Sequence, residues 1–154
     1  MKKERRKTVF FAADHGGFAL KEKLKAYLMK QGYIINDLGT HSQERCDYPI
    51  FAFELAKKVA GKAGGCGILI CKSGIGNSIV ANRVPGVRAA LCYNVKAARL
   101  SRQHNDSNVL VLGSLFANER LARRIARVWL NTEFEAGRHS RRLALIRKLE
   151  KNIR

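Results

Sequence analysis

With 154 residues, 46% of them hydrophobic and 27% charged, the chain has the balance of a globular protein with enough length for one real core. No apolar run approaches the ~18 residues of a membrane helix, and the basic start lacks the apolar stretch and cleavage site of a signal peptide. A single cytoplasmic domain spanning 1–154 is therefore expected. Thirty Lys and Arg against twelve Asp and Glu leave a formal charge of +18, which points to an anionic partner or to a solvated basic surface.

The predicted elements alternate along the chain. TVFFAA at 8–13 is a strand-length apolar run. Residues 18–31 have helical periodicity, with Phe18, Leu20, Leu24, Tyr27 and Leu28 on one side, lysines on the other, and Gly32 as the C-terminal cap. A second strand is expected at 33–38. Pro49 opens a helix through Gly61, and Gly64 and Gly65 break it. GILIC at 67–71 is a short, continuously apolar strand. A glycine turn at 73–77 follows, then a helix at 78–83. The remaining elements are a strand at 87–92, a helix at 95–103, a strand at 108–112, a long helix at 115–130 and a last helix at 139–152 after the break at Gly137. Five apolar strands separated by helices imply a Rossmann-like three-layer α/β domain, a parallel sheet with helices on both faces. The C-terminal segment 138–154 has no further strand to cover, so it is expected to pack on a partner subunit.

Ligands of such sheets sit beyond the carboxyl ends of the strands. Asp14-His15-Gly16-Gly17, Cys71–Gly76 and the segment after the fourth strand should therefore line one crevice. Asp14 and His15 can hold a hydroxyl or ring oxygen there, although Asp14 has a second reading as a helix cap. The run Cys71-Lys72-Ser73-Gly74-Ile75-Gly76-Asn77-Ser78 lets successive N–H groups converge on an anion. It is neither a dinucleotide fingerprint nor a Walker loop, so its anion is smaller than a dinucleotide. Cys71, at its mouth, is a candidate base once ionised. Cys46, Cys66 and Cys92 read as small buried hydrophobes, with no disulfide or metal-ligand spacing among the cysteines.

His104, in Ser101-Arg102-Gln103-His104-Asn105-Asp106, has polar neighbours and a titration range suited to acid–base work. Arg138 and Arg142 are four apart at the start of the last helix and can share a phosphate. Other charges lie at Lys2, Lys3, Arg5, Arg6 and Lys7 (an N-terminal extension over 1–7), and at Arg120, Arg123, Arg124, Arg127, Arg141, Arg147, Lys148, Lys151 and Arg154. They are not interleaved with aromatics, and no nucleic-acid motif accompanies them, which disfavours nucleic acid as the partner.

Taken together, AADHGGF, the DYP at 47–49, GILICKSGIGNSIVAN, GVRAALC, ARLSRQHNDSNVLVLGS and GRHSRR resemble the type B ribose-5-phosphate isomerases, grouped with the galactose-6-phosphate isomerase subunits. The resemblance runs from Thr8 to about Ile146. It implies interconversion of ribose 5-phosphate and ribulose 5-phosphate through an enediolate, without metal or cofactor. It implies Cys71 as the base and His104 as the acid that opens the sugar ring. Ser73 and the amides of Gly74, Ile75 and Gly76 would stabilise the enediolate. Asp14, His15, Asn105 and Tyr48 would contact substrate, and Arg138 and Arg142 would bind phosphate. It further implies a homodimer or homotetramer whose sites draw on two subunits. Two positions depart from the family pattern. Lys72 replaces a common glycine, and Leu115 stands where an arginine commonly helps bind phosphate. Lys72 is expected to take over part of the anion binding or to bias Cys71 toward thiolate. The departures leave room for a six-carbon sugar phosphate, or for a noncatalytic phosphosugar-binding or nucleic-acid-binding relative.

Overall fold

The computed structural model describes residues 7–153; of the expected N-terminal extension only Lys7 falls within it, and Lys2, Lys3, Arg5, Arg6 and Arg154 lie outside the described residues. The chain runs β1 (Thr8–Ala13), α1 (Phe18–Lys30), β2 (Ile34–Asp37), α2 (Tyr48–Ala60), β3 (Cys66–Cys71), α3 (Ile75–Ala81), β4 (Ala89–Leu91), α4 (Val95–Asn105), β5 (Val109–Gly113), α5 (Glu119–Asn131) and α6 (Arg138–Asn152). The strands form one parallel sheet in the order β2-β1-β3-β5-β4.

The central strands are buried on both faces, so the two-residue alternation becomes a choice between two cores. Phe11, Ala13, Ile68, Ile70, Leu110 and Leu112 pack against α1, α4 and α5, with Trp129 the largest side chain of that layer. Phe10, Ala12, Leu69, Val109 and Val111 pack against Ala52, Leu55, Ala56 and Val59 of α2 and Ala81 of α3. Cys71, two residues beyond Leu69, continues the second set. Helix α6 buries only His139 and Leu143; Leu145, Leu149 and Ile153 remain exposed.

Several boundaries differ from the sequence expectation. The helix expected from 78 begins at Ile75, because Gly74 takes a left-handed conformation (φ 81°) and turns the chain at once. The helix expected from 115 begins at Glu119, where the Asn118 side chain accepts the Leu121 N–H at 2.9 Å. Helix α4 continues to Asn105 and stops at Asp106 (φ 43°), so His104 and Asn105 sit on a helical last turn and not in a loop.

Lys21 also departs from expectation. It lies on the core face of α1 and is fully buried. Its Nζ donates to both Asp37 oxygens at 2.6 and 2.8 Å and to the Thr40 carbonyl at 2.6 Å; Lys25 is a second donor to Asp37. Burial by itself would raise the Asp37 carboxyl, but the hydrogen bonds from Lys21 and Lys25 outweigh it and hold the group below its usual range. This buried pair anchors the loop after β2, whose Gly39 and Thr40 bond Ala13 at 2.8 and 2.7 Å, one residue before Asp14.

Replacing Lys21→Met leaves Asp37 short of its buried partner and is expected to cost about 3–5 kcal/mol at pH 7. Asp37 titrates lower folded than unfolded, so its contribution is full above about pH 4 and drains away as pH falls further. Denaturant midpoints of wild type and variant should therefore converge in acid; a gap that stays constant to pH 3 would contradict the assignment.

Candidate active site

Three turns meet at the carboxyl edge of the sheet. The turn after β1 presses on β3 so closely that a Cβ on Gly17 would lie 2.2 Å from the Ile70 carbonyl oxygen. Ser114, after β5, donates its Oγ–H to the Gly16 carbonyl at 2.8 Å and its N–H to the Cys71 carbonyl at 2.9 Å. Leu115 N–H donates to the Lys72 carbonyl at 2.9 Å. The Tyr93 hydroxyl, from the segment after β4, donates to the Ser73 carbonyl at 3.2 Å. The strand ends thus bring together Asp14, His15, the Cys71–Gly76 run and the segment after β4.

Within this floor lies Cys71, the base expected from the sequence. Its sulfur is buried and accepts the Gly74 N–H at 3.1 Å, and the N–H groups of Asn77 and Ser73 also act on it. Burial dominates and pushes the thiol above its ordinary range. The three N–H donors pull the other way, and the Asp14 carboxylate adds to the upward push. Burial therefore sets the direction for this group, and the opposing pull comes from backbone N–H groups and not from Lys72. Cys66 and Cys92 are also raised by burial, Cys92 to about 11. Cys46 is half-buried instead of core, because it sits in the loop before α2, where its backbone N and O approach His15 Nδ1 at 3.3 and 3.2 Å. All four thiols are free.

The other expected residues of this edge surround the thiol. Asp14 Oδ1 accepts the Gly17 N–H at 3.0 Å, so it does hold the start of α1 while standing beside Cys71. Ser73 Oγ accepts the Ile75 N–H at 3.2 Å. The Tyr48 ring lies directly over Gly76, where a Cβ would come within 2.4 Å of it. The Lys72 stem crosses Gly16, and its backbone contact with Leu115 makes the two departures from the family pattern immediate neighbours.

His104, Asn105, Arg138 and Arg142 are not part of this group. In a parallel sheet α4 leaves the carboxyl end of β4 and returns to the amino end of β5, so its last turn lies at the opposite edge. Arg88, at the amino end of β4, confirms the location by donating to the Asn105 carbonyl at 2.9 Å. A six-residue strand such as β3 separates the two edges by roughly 16 Å at about 3.3 Å per residue.

At the amino edge His104 stacks on His139, ring centroids 4.3 Å apart and planes at 11°. Glu135 Oε2 lies 3.9 Å from Nε2 of each. Burial lowers the His139 pKa, and His104, Arg138 and Arg142 lower it further, against the pull of Glu135. Sequence reasoning had not assigned Glu135 or His139 a role. The four-residue spacing of Glu135 and His139, the latter within GRHSRR, pairs those two alone; His104 comes from a different helix. Among the described residues these three side chains form a group of metal-ligating size, with ligand atoms within 4.8 Å of one another, which local spacing did not announce. Parallel rings do not aim their lone pairs at one point, and the flanking arginines make the cluster a better seat for an anion than for a cation. A separate 310 Å³ cavity at this edge, lined by Lys7, Lys62, Arg88, Arg102, Asp106 and Trp129, holds none of the expected site residues.

The carboxyl edge has the parts for proton abstraction next to a developing oxyanion, and the amino edge those for proton donation and phosphate binding. The family model described as Ribose/Galactose Isomerase matches residues 9–146. The chain is 45% identical to ribose-5-phosphate isomerase B of Escherichia coli over 144 residues, covering 94% of this chain and 97% of that one. Ribose-5-phosphate isomerase B of Clostridium thermocellum superposes with a TM-score of 0.92 at 44% identity, over 96% and 99% of the two chains. That of Mycoplasma genitalium, solved with bound ribulose-5-phosphate, superposes with a TM-score of 0.90 at 40% identity, over 94% and 96%. The chain belongs to the ribose/galactose isomerase family.

Proposed function

We propose that this protein interconverts ribose 5-phosphate and ribulose 5-phosphate without a cofactor, at sites shared between two copies of the chain. The observation that carries the reading is the Cys71 sulfur held among the N–H groups of Gly74, Asn77 and Ser73 at a strand end. The bound ribulose-5-phosphate of the Mycoplasma genitalium relative supports the substrate class.

The reaction begins with the furanose ring: His104 donates a proton to the ring oxygen, the bond from that oxygen to C1 breaks, and the anomeric hydroxyl releases its proton to solvent to leave the C1 aldehyde. Cys71 as thiolate then takes the C2 proton of the open aldose. The C–H electron pair forms a C1–C2 double bond, and the carbonyl pair moves onto O1. Backbone N–H groups of the Cys71–Gly76 run face that negative charge; one well-placed donor of this kind is worth roughly 2.7–4 kcal/mol. The O2 proton passes to O1, the thiol returns its proton to C1, and the ketose results. Asp14, His15, Tyr48 and Asn105 orient the sugar, and Arg138 and Arg142 hold the phosphate, which does not react.

A single chain keeps the base and the acid at opposite edges of its sheet, so the acid for one Cys71 comes from a second copy. The apolar depression of about 580 Å³ between α2 and α3 suits that contact; Ile50, Phe53 and Ile79 are 65%, 44% and 53% exposed there. The free leucines of α6 extend the apolar surface. Lys72 supplies the cation that Leu115 does not, since the two are joined through their backbones.

Three outcomes test this reading. Wild type should form ribulose 5-phosphate from ribose 5-phosphate in EDTA, and Cys71→Ala and His104→Ala should each lose activity by about 1,000-fold or more. Mixing the two inactive variants, then unfolding and refolding them together, should restore about a quarter of wild-type activity, because half the dimers carry one intact site. No recovery would sink the shared site, and turnover of galactose 6-phosphate or allose 6-phosphate alone would move the substrate to six carbons.

Because burial raises the Cys71 thiol, kcat/KM should climb about tenfold per pH unit through neutrality and level off only above the ordinary thiol range near ~8.5. A plateau already present at pH 7 would show a preformed thiolate. Lys72→Met keeps the stem over Gly16 and removes the charge; KM should rise by about tenfold with kcat little changed. Unaltered KM would rule out the compensation for Leu115.

A further inference from the structure

Asn77 has no place in the reaction as written beyond its backbone N–H, yet its side chain is the most anomalous polar group in the fold. It is 1% exposed, and neither Oδ1 nor Nδ2 has a hydrogen-bond partner among the described residues. It sits on the buried side of α3, one turn before Ala81, the other buried residue of that helix. The amide therefore serves no visible structural bond. Buried amides left unpaired destabilise a fold, and nearly all such groups in proteins find partners. Both atoms are orphaned on the first turn of α3, the turn opened by Gly74, whose own N–H donates to Cys71 Sγ at 3.1 Å. The Tyr48 ring covers the adjoining Gly76 from the rim.

We propose that Asn77 is a substrate-binding residue at the reacting end of the sugar. Its Nδ2–H donates to the oxygen that becomes negative in the enediolate, and its Oδ1 accepts from the neighbouring hydroxyl. An amide suits both tasks because it offers a donor and an acceptor and stays uncharged beside a thiol that must ionise. The ligand supplies the partners that the fold withholds, so the cost appears in the empty protein and is relieved in the complex. This inference rests on the isomerase reading above.

The test exploits opposite signs. Asn77→Leu has the same branched shape without polar atoms. A ligand-binding role predicts that its Tm rises by roughly 2–4 °C while kcat/KM falls about 100-fold. Inhibition by inorganic phosphate should stay at the wild-type constant, because the phosphate end is untouched. Asn77→Ala, which cannot overpack, should show the same loss of turnover. A lower Tm in both variants would mean that Asn77 holds a structural water and would overturn the proposal. Retained turnover by the variants on whichever sugar phosphate the wild type accepts would overturn it too. Wild-type inactivity on ribose 5-phosphate would count against the proposed substrate, whereas those two results count against Asn77 alone.

Discussion

The arrangement depends on how closely three turns approach at the carboxyl edge of the sheet. Gly17 lies against the backbone of Ile70, and a Cβ on Gly113 would fall 2.4 Å from the Ser73 carbonyl oxygen. Ser114 ties the first turn to the third. Larger residues at either glycine would push the turns apart by about 1 Å. The N–H groups that face Cys71 would then lose their common focus, and a donor displaced by that much no longer stabilises a developing charge. The surroundings of the thiol are in this sense a packing property of residues that never touch it.

The direction of the chain imposes a second constraint. Parallel strands require every connecting helix to run back against the sheet, so each returning helix ends at the edge opposite the strand ends. Residues on a helix's last turn, such as His104 and Asn105, are therefore placed far from residues on a strand's last position, such as Cys71. Bringing them together within one chain would require breaking the helix or the sheet. In the proposed function a second copy brings them together without breaking either. The orphan status of α6, which buries only His139 and Leu143, belongs to the same logic. Its first turn carries Arg138 and Arg142 beside His104, and its outer leucines face away from its own sheet.

The elements legible in the sequence were those with a strong local signal. Continuous apolar runs marked β1, β3 and β5, and the four-residue recurrence of Leu20, Leu24 and Leu28 marked α1. Cys71, Ser73 and Gly74 stood out because a strand end followed by small residues has a defined chemical meaning. What stayed illegible came from longer-range causes. Lys21 sits among hydrophobic positions, and nothing nearby in sequence announces Asp37 sixteen residues on. The His104, Glu135 and His139 cluster forms only when α4, the loop after α5 and α6 meet. The extension of α4 over His104 was hidden by the polar run that looked like a loop.

The thiol's environment resolves an apparent contradiction between burial and reactivity. Removing water raises the cost of ionising Cys71, and Asp14 raises it further; both work against the base. The same dry surroundings strengthen the pull of Gly74, Asn77 and Ser73 on any negative charge that does form. In the proposed reaction negative charge stands first on sulfur and then on the substrate oxygen, and it shifts from one to the other as the proton moves from carbon to sulfur. A cradle of backbone donors sees nearly constant charge through that step, so little reorganisation is needed. Water would solvate the thiolate more cheaply but would have to rearrange as the charge moved. A raised thiol and a converging set of N–H groups are two consequences of one feature, the dry floor where three turns close over the sheet and where the proposed proton transfer would run.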